Sequence, residues 1–435
     1  ARIDEINPRV NAVVRRLDEQ ALAEADAADR HRAAGGTLGP LHGVPFTVKE
    51  NIDVAGLPTT SGVAALAEAV TPADAPVVER MRAAGGVVLA RTNLPDFGLR
   101  VFTESSLHGI TRNPWDGERT AGGSSGGEAV ALATGMSPIG LGNDLGGSLR
   151  NPAHCCGIAS IKPSTGVVPA ATMIPPTDMS LMFQLMAVEG VMARTVADVR
   201  TGFEAVAGAH LRDPLALPVH LAGLDRSRLV RIAVAAAPPG GDTDPAVAAA
   251  ITALADRLAD AGAEVVEVCP QSYERSLELW ATLLLADVRA QLPLLEMVMG
   301  EDGLKFLGYA DELIPTIDLG SFGALLTERL AVLKEWQVFL HDYDALLTPV
   351  WSTTAPPHGA DLTSFDAGQA TLEMMRPVLP ANLLGLPATV VPAGLAGGMP
   401  VGAQFTAARF ADRRALDVAQ LAEDLVGTIT PIDPR

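Results

Sequence analysis

A chain of 435 residues with 48% hydrophobic and 19% charged side chains can bury a large core. Its formal charge of −19 argues against nucleic acid or an anionic membrane as partners, since both call for clustered Lys and Arg. Its three cysteines, Cys155, Cys156 and Cys269, cannot all pair and lack metal-ligand spacing, which points to buried thiols in a reducing cytoplasm.

In chain order, Ile6–Val14 reads as an extended opening piece and Asp18–Ala34 as an alanine-rich helix. Val44–Val48 is an apolar strand ending at Lys49, Ala75–Ala84 an amphipathic helix stopped by Gly85-Gly86, and Val87–Ala90 a buried strand. Glu128–Thr134 (EAVALAT) is free of breakers and reads as helix, with Gly126 and Gly127 before it and Gly135 as its stop. Ile139–Leu141 follows as a short strand. Arg231–Ala235, Asp244–Ala261 and Glu264–Val268 repeat the strand–helix–strand pattern, and residues 272–340, with Trp280 and Trp336, are mainly helical. Ala345–Thr348, Ala388–Val391 and Val401–Phe405 supply late strands before a closing helix, Asp412–Val426. No linker, repeat or low-complexity spacer divides the chain. The alternation predicts one α/β domain over 1–435, with a central twisted, mixed, mostly parallel β-sheet covered by helices on both faces. No run is long enough for a transmembrane helix and no signal peptide is recognisable. The chain begins at Ala1 rather than methionine, which leaves open a missing native N-terminus and a targeting segment on it.

The stretch Gly122–Ser148 holds two serines, Ser124 and Ser148, each among glycines that let the backbone come close to a bound group. The backbone N–H groups of a Leu145-Gly146-Gly147-Ser148 turn can point inward together and receive a developing oxyanion. A serine hydroxyl needs a base. His154 precedes Cys155-Cys156-Gly157 at a packed helix end and reads as a scaffold residue. Lysine is the more informative candidate, because the chain has only four, Lys49, Lys162, Lys305 and Lys334. At the buried end of a strand, Lys49 would lose hydration and become a base near neutral pH. Composition alone favours a different reading, a strand-end lysine paired with Glu50 or Asp53.

Three blocks alter that balance. HGVPFTVKENIDVAG from His42, TAGGSSGGEAVALATG from Thr120 and SPIGLGNDLGGSLRNPAHCCGIASIKPSTGVVP from Ser137 resemble the amidase signature family in order and in the spacing of the two serines. The likeness extends from INPRVNAVV near the start to NLLGLPATVVPAG and GMPVGAQFTA near the end. It implies a serine hydrolase with a Ser-cisSer-Lys triad and no cofactor or metal, of the bacterial amidase, aryl acylamidase or carbamate-cleaving kind, with its catalytic core in 40–200. Position by position, the resemblance makes Ser148 the nucleophile, Ser124 the bridging serine in a cis peptide and Lys49 the base. Leu145, Gly146 and Gly147 match the oxyanion donors, Ser125 and Asp144 match residues that orient the lysine and the nucleophile loop, and Arg150 matches the partner of the aspartate. Asn143 and Leu145 depart from the family pattern, standing where threonine is often found.

Substrate preference is expected from loops. Pro169–Met186 contains Met173, Ile174, Pro175, Pro176, Met179, Met182, Phe183 and Met186 with few charges. Methionine suits irregular apolar pockets, and Met173, Ile174, Met179 and Phe183, with Gly122 and Gly123, are the candidate substrate contacts; core packing explains the stripe equally well. Leu313–Phe322 and Trp351–Asp366 are candidate rims of a funnel. Uncharged, partly apolar aryl or alkyl amides are the favoured small-molecule substrates, with carbamates and esters beside them. Monomer and homodimer are both compatible with the sequence. Two other readings compete. Gly122-x-Ser124-x-Gly126 matches the nucleophile elbow of α/β-hydrolase esterases, which requires a strand just before Ser124. The resembling family also includes the amide-transferring component of a glutamyl-tRNA amidotransferase complex. A Walker phosphate loop is excluded by the missing Gly-Lys-Ser/Thr.

Overall fold

The computed structural model describes residues 1–175, 177–225, 227–428 and 432–434; Pro176, named above in the apolar stretch, lies outside them. The strands are β1 (Val13–Arg16), β2 (Pro45–Lys49), β3 (Val87–Thr92), β4 (Glu104–Ser105), β5 (Gly109–Ile110), β6 (Ile139–Asp144), β7 (Ala159–Lys162), β8 (Val188–Ala193), β9 (Arg231–Val234), β10 (Glu264–Glu267), β11 (Ala345–Pro349), β12 (Ala388–Ala396) and β13 (Met399–Thr406). β4 and β5 pair with each other, and the other strands form one sheet in the order β1-β3-β2-β6-β8-β7-β12-β13-β11-β9-β10.

The sheet is mixed, with its parallel pairings in two wings. β3–β2–β6 forms one wing and β11–β9–β10 the other. These are the regions where strand and helix alternate, because a parallel return needs a crossover, here through helices such as Pro76–Ala83 and Pro245–Asp260. Between the wings, β8, β7, β12 and β13 run antiparallel to their neighbours. β12 returns into β13 through Gly397-Gly398, whose φ angles of 57° and 83° suit a two-residue hairpin turn.

Both faces are covered. In β2, Phe46 and Val48 enter a core with Val77, Phe203, Leu254, Phe405 and Leu416. Alternation sends Thr47 and Lys49 to the opposite face, where the Thr47 hydroxyl donates to Glu128 on the helix Gly126–Ala133. That face carries a second core, including Val130, Leu132, Trp280, Trp336 and Trp351. No helix among the described residues is long and apolar enough to cross a membrane.

One expected element is corrected. Residues 6–14 do not form one extended piece: Arg2–Val10 is a helix, Asn11 turns the chain with φ 51°, and β1 follows. Ile3, Ile6 and Val10 recur at helical spacing and are buried, and this amphipathic stripe outweighs Pro8 inside the helix. The helix expected to begin at Glu128 starts at Gly126 and takes in both glycines. Within 169–186, the residues Leu181–Met186 are helical.

Gly127 lets that helix lie against the strand ends. A Cβ there would stand 2.5 Å from the Asn93 backbone nitrogen and 2.8 Å from the Ala12 carbonyl oxygen. Gly127→Ala is expected to destabilise the fold by about 1–3 kcal/mol, read as a lowered midpoint in urea unfolding.

Candidate active site

β2 and β6 run parallel and end side by side on Lys49 and Asp144, and the loops beyond them bring the expected residues together. Ligand crevices form at such carboxyl ends of strands. The peptide Gly123–Ser124 is cis, and Ser124 leads into the helix Gly126–Ala133. The Thr103 hydroxyl holds this loop, donating to the Gly122 carbonyl at 2.8 Å and accepting from the Gly126 N–H at 3.0 Å. Asn151 Nδ2 ties the two serine loops, donating to the carbonyls of Gly123 at 3.2 Å and Gly146 at 3.0 Å. The Ser125 N–H donates to the Ser148 carbonyl at 3.2 Å, and the Ser125 hydroxyl to the Asn143 carbonyl at 3.4 Å.

Lys49 is fully buried. Its Nζ donates to Ser124 Oγ at 2.7 Å and to Asn143 Oδ1 at 2.5 Å, and Asn143 Nδ2 donates to Asn51 Oδ1 at 3.0 Å. Pairing with Glu50 or Asp53 is not what the fold provides. Glu50 accepts from Thr60 at 2.7 Å and meets His108 at 2.6 Å. Asp53 accepts from Thr59 at 2.7 Å, Thr172 at 3.0 Å and the Met173 N–H at 2.6 Å. Burial therefore dominates and pulls the Lys49 ammonium down to about 7, against weaker upward pulls from Glu189, Asp144 and Glu128. A neutral lysine can accept a proton from Ser124 along the same short contact.

Asp144 and Arg150 form a buried ion pair at 3.0 Å. Burial alone would raise the carboxyl, but the charge and hydrogen bonds of Arg150 outweigh it and hold Asp144 below the usual carboxylate range. Arg150 reaches across the fold, donating to Asn382 Oδ1 at 2.6 Å, the Val378 carbonyl at 2.8 Å and Gln404 Oε1 at 3.0 Å. Asp144 in turn accepts the N–H of Gly147 at 2.8 Å and of Leu149 at 3.1 Å. This withdraws Gly147 from the three expected oxyanion donors, since its N–H is already engaged. The N–H groups of Leu145 and Gly146 have no acceptor among the described residues, and the Leu145 carbonyl is held by Trp280 Nε1 at 3.2 Å.

Ser148 opens onto two cavities. One, of about 350 Å³, is largely apolar and is lined by Leu145, Gly146, Ser148, Trp280, Leu284, Val288, Phe306, Leu313, Ile314 and Met375, among others. The other, of about 190 Å³, is lined by Asn51, Asp53, Ser124, Asn143, Ser148, Thr172, Met179, Phe183 and Glu189, among others. Of the candidate substrate contacts, Met179 and Phe183 line the smaller cavity. Gly122, Gly123, Met173 and Ile174 line neither. Gly122 and Gly123 are pressed against the Asn151–Pro152 and Val101–Phe102 backbones, and Met173 is 42% exposed. Met182 and Met186 belong to the core. Leu313 and Ile314 bring the first expected rim into the site, whereas residues 351–366 line neither cavity.

The larger cavity comes mainly from the helical section. Leu277, Ala281, Leu284, Leu285 and Val288 recur at i, i+4, i+7, i+8 and i+11 on the helix Tyr273–Arg289, one apolar face visible in the sequence that reads equally as core. His154 is a scaffold residue: its Nδ1 accepts from the Gly402 N–H at 2.9 Å, its Nε2 faces the Thr353 carbonyl at 3.1 Å, and burial pushes it down to about 4. The residues before Ser124 make an isolated bridge at Thr120 rather than a strand, which an esterase-type elbow would need. No group of three or more His, Cys, Asp or Glu among the described residues could hold a metal ion.

Residues 1–416 match the Amidase family. An indoleacetamide hydrolase of Bradyrhizobium diazoefficiens is 39% identical over 430 residues, covering 98% of this chain and 82% of that protein. A glutamyl-tRNA(Gln) amidotransferase component from Salinispora arenicola is 34% identical, covering 99% of this chain and 93% of that protein. The crystal structure of a bacterial aryl acylamidase of the amidase signature enzymes superposes with a TM-score of 0.82 at 25% identity, covering 98% of this chain and 91% of the other.

Removing Arg150 would strand a buried carboxylate. Arg150→Met is expected to cost about 3–5 kcal/mol of stability, measured by urea unfolding at neutral pH.

Proposed function

This chain belongs to the amidase family, and from that premise we propose that it hydrolyses the C–N bond of uncharged amides carrying an apolar, aryl-sized group, through an acyl-enzyme on Ser148. The observation that carries the reading is the buried Lys49–Ser124 contact, with Ser124 and Ser148 lining one cavity and Ser148 also lining the apolar one. In the proposed cycle Ser148 Oγ attacks the carbonyl carbon while its proton passes to Ser124 Oγ, whose own proton goes to neutral Lys49. The carbonyl oxygen takes the negative charge and accepts from the N–H groups of Leu145 and Gly146. Collapse breaks the C–N bond as the proton held on Lys49 returns through Ser124 to the departing nitrogen. Water then attacks the Ser148 ester, losing its proton by the same route and restoring the serine. Asp144 and Arg150 hold the turn that aims the two donors, and Ser125 holds the two serine loops together.

The amidotransferase reading draws support from the Salinispora relative. Glutamine, as an amide donor, carries an ammonium and a carboxylate that the apolar cavity does not match. Of the two guanidinium groups on that cavity, Arg100 is paired with Asp361, and the terminal nitrogens of Arg376 are occupied by the carbonyls of Pro238, Gly241, Asp242 and Glu373 and by Thr243. Turnover of a simple aryl amide by the isolated chain separates the readings, since one component of an obligate complex would need its partners.

Two outcomes are expected for the purified chain acting on phenylacetamide. Ser148→Ala abolishes turnover, and Lys49→Ala lowers kcat by roughly 10²–10⁴; full activity in either variant would sink the triad. Because Lys49 works in its neutral form and burial brings it to about 7, protonation below that pH removes the base. A plot of kcat/KM against pH should therefore fall about tenfold per unit below neutrality and level off above it.

A further inference from the structure

The two cavities that meet at Ser148 can be assigned by the groups that line each one, taking the mechanism proposed above as the starting point. Gly146, with its free N–H, lines the apolar cavity and not the smaller one; Ser124, the proton donor to the leaving nitrogen, lines the smaller cavity and not the apolar one. The acyl group therefore faces the apolar cavity and the departing amine the smaller one.

Two carboxyl groups besides Asp144 line that amine cavity, Asp53 and Glu189. Asp53 is satisfied by Thr59, Thr172 and the Met173 N–H. Glu189 receives no hydrogen bond from the described residues, and its Oε2 is out of contact with solvent. Its cross-strand neighbour is Asn143, so the two side chains leave the sheet on the same face. Asn143 does not satisfy it: the Asn143 Nδ2 donates to Asn51, its Oδ1 is taken by Lys49, and neither atom bonds the Glu189 carboxyl. Glu189 is half-buried, and an unpaired carboxyl oxygen sealed from solvent is costly and calls for an explanation beyond folding. Burial also pushes the Glu189 carboxyl up from its ordinary range, with Lys49 opposing the shift and Asp53 adding to it. In its neutral form it still offers a carbonyl oxygen to an N–H and does not draw a proton onto Lys49.

We propose that Glu189 is the specificity-determining residue of the amine cavity: its free carboxyl oxygen accepts an N–H of the scissile amide and of the leaving amine, selecting amides with an N–H-bearing amine part over esters of the same acid. A cavity of about 190 Å³ has room for ammonia, a short amine or an aniline-sized one. Esters have no N–H to offer.

The test measures kcat/KM of the full chain and its Glu189→Met, Glu189→Ala and Glu189→Gln variants on phenylacetamide and ethyl phenylacetate, which share the acyl group. The Met and Ala variants lack the acceptor and differ in volume. Both are expected to lose at least about tenfold on the amide and less than about threefold on the ester, while Gln, which keeps an acceptor oxygen, stays within about threefold on both. Thermal midpoints at or above that of the unaltered chain are expected for all three, since the carboxyl has no partner to lose. Equal losses on amide and ester would mean that Glu189 acts through Lys49, and an amide loss below about threefold would mean that it does not touch the amine; either result overturns the assignment and leaves the amidase reading standing. An unaltered chain inactive on both substrates would overturn the amidase reading and this inference with it.

Discussion

Everything at this site depends on keeping the Lys49 ammonium out of water without giving it a carboxylate. Full burial at the end of β2 lowers its proton affinity, and the two acceptors of its hydrogen bonds, Ser124 Oγ and Asn143 Oδ1, are neutral. Of the acids near it, Glu50 and Asp53 are held elsewhere by Thr59, Thr60, Thr172 and His108, and Glu189, whose carboxyl burial pushes up, makes no hydrogen bond to it. An ion pair in that position would raise the lysine and remove it as a base. Neutral Asn143, which takes the second Lys49 hydrogen bond, belongs to the same arrangement.

A charge that is wanted is placed one strand away. The Asp144–Arg150 pair is sealed in the core and directs its hydrogen bonds to backbone N–H groups of the nucleophile turn and to residues more than two hundred positions along the chain. Such a pair is a poor source of net stability, yet it fixes geometry. Here it fixes which amides of the turn are engaged and which stay free.

Local relationships are legible in the sequence. Lys49, Ser124, Ser148, Asp144 and Arg150 lie in short blocks whose order carries the pattern, and apolar runs mark the strands of both wings. Long-range relationships are not legible there. Glu189 meets Asn143 through strand register, which no single stretch encodes, and the engagement of the Gly147 N–H by Asp144 depends on the curl of one turn. Pro8 disguises a helix whose buried stripe of Ile3, Ile6 and Val10 is nonetheless present. The methionine-rich stretch draws attention away from Tyr273–Arg289, because an inward apolar stripe looks the same whether it faces a core or a cavity.

Separate rooms for the two halves of a substrate also impose an order of events. On the proposed mechanism the amine departs first, while the acyl group stays anchored in its apolar cavity by the ester to Ser148. The vacated room is then the approach for the second nucleophile, and nothing in its shape reserves it for water. On that mechanism any neutral amine that fits would compete for the same ester, and each acyl group would be partitioned between hydrolysis and transfer according to what refills about 190 Å³.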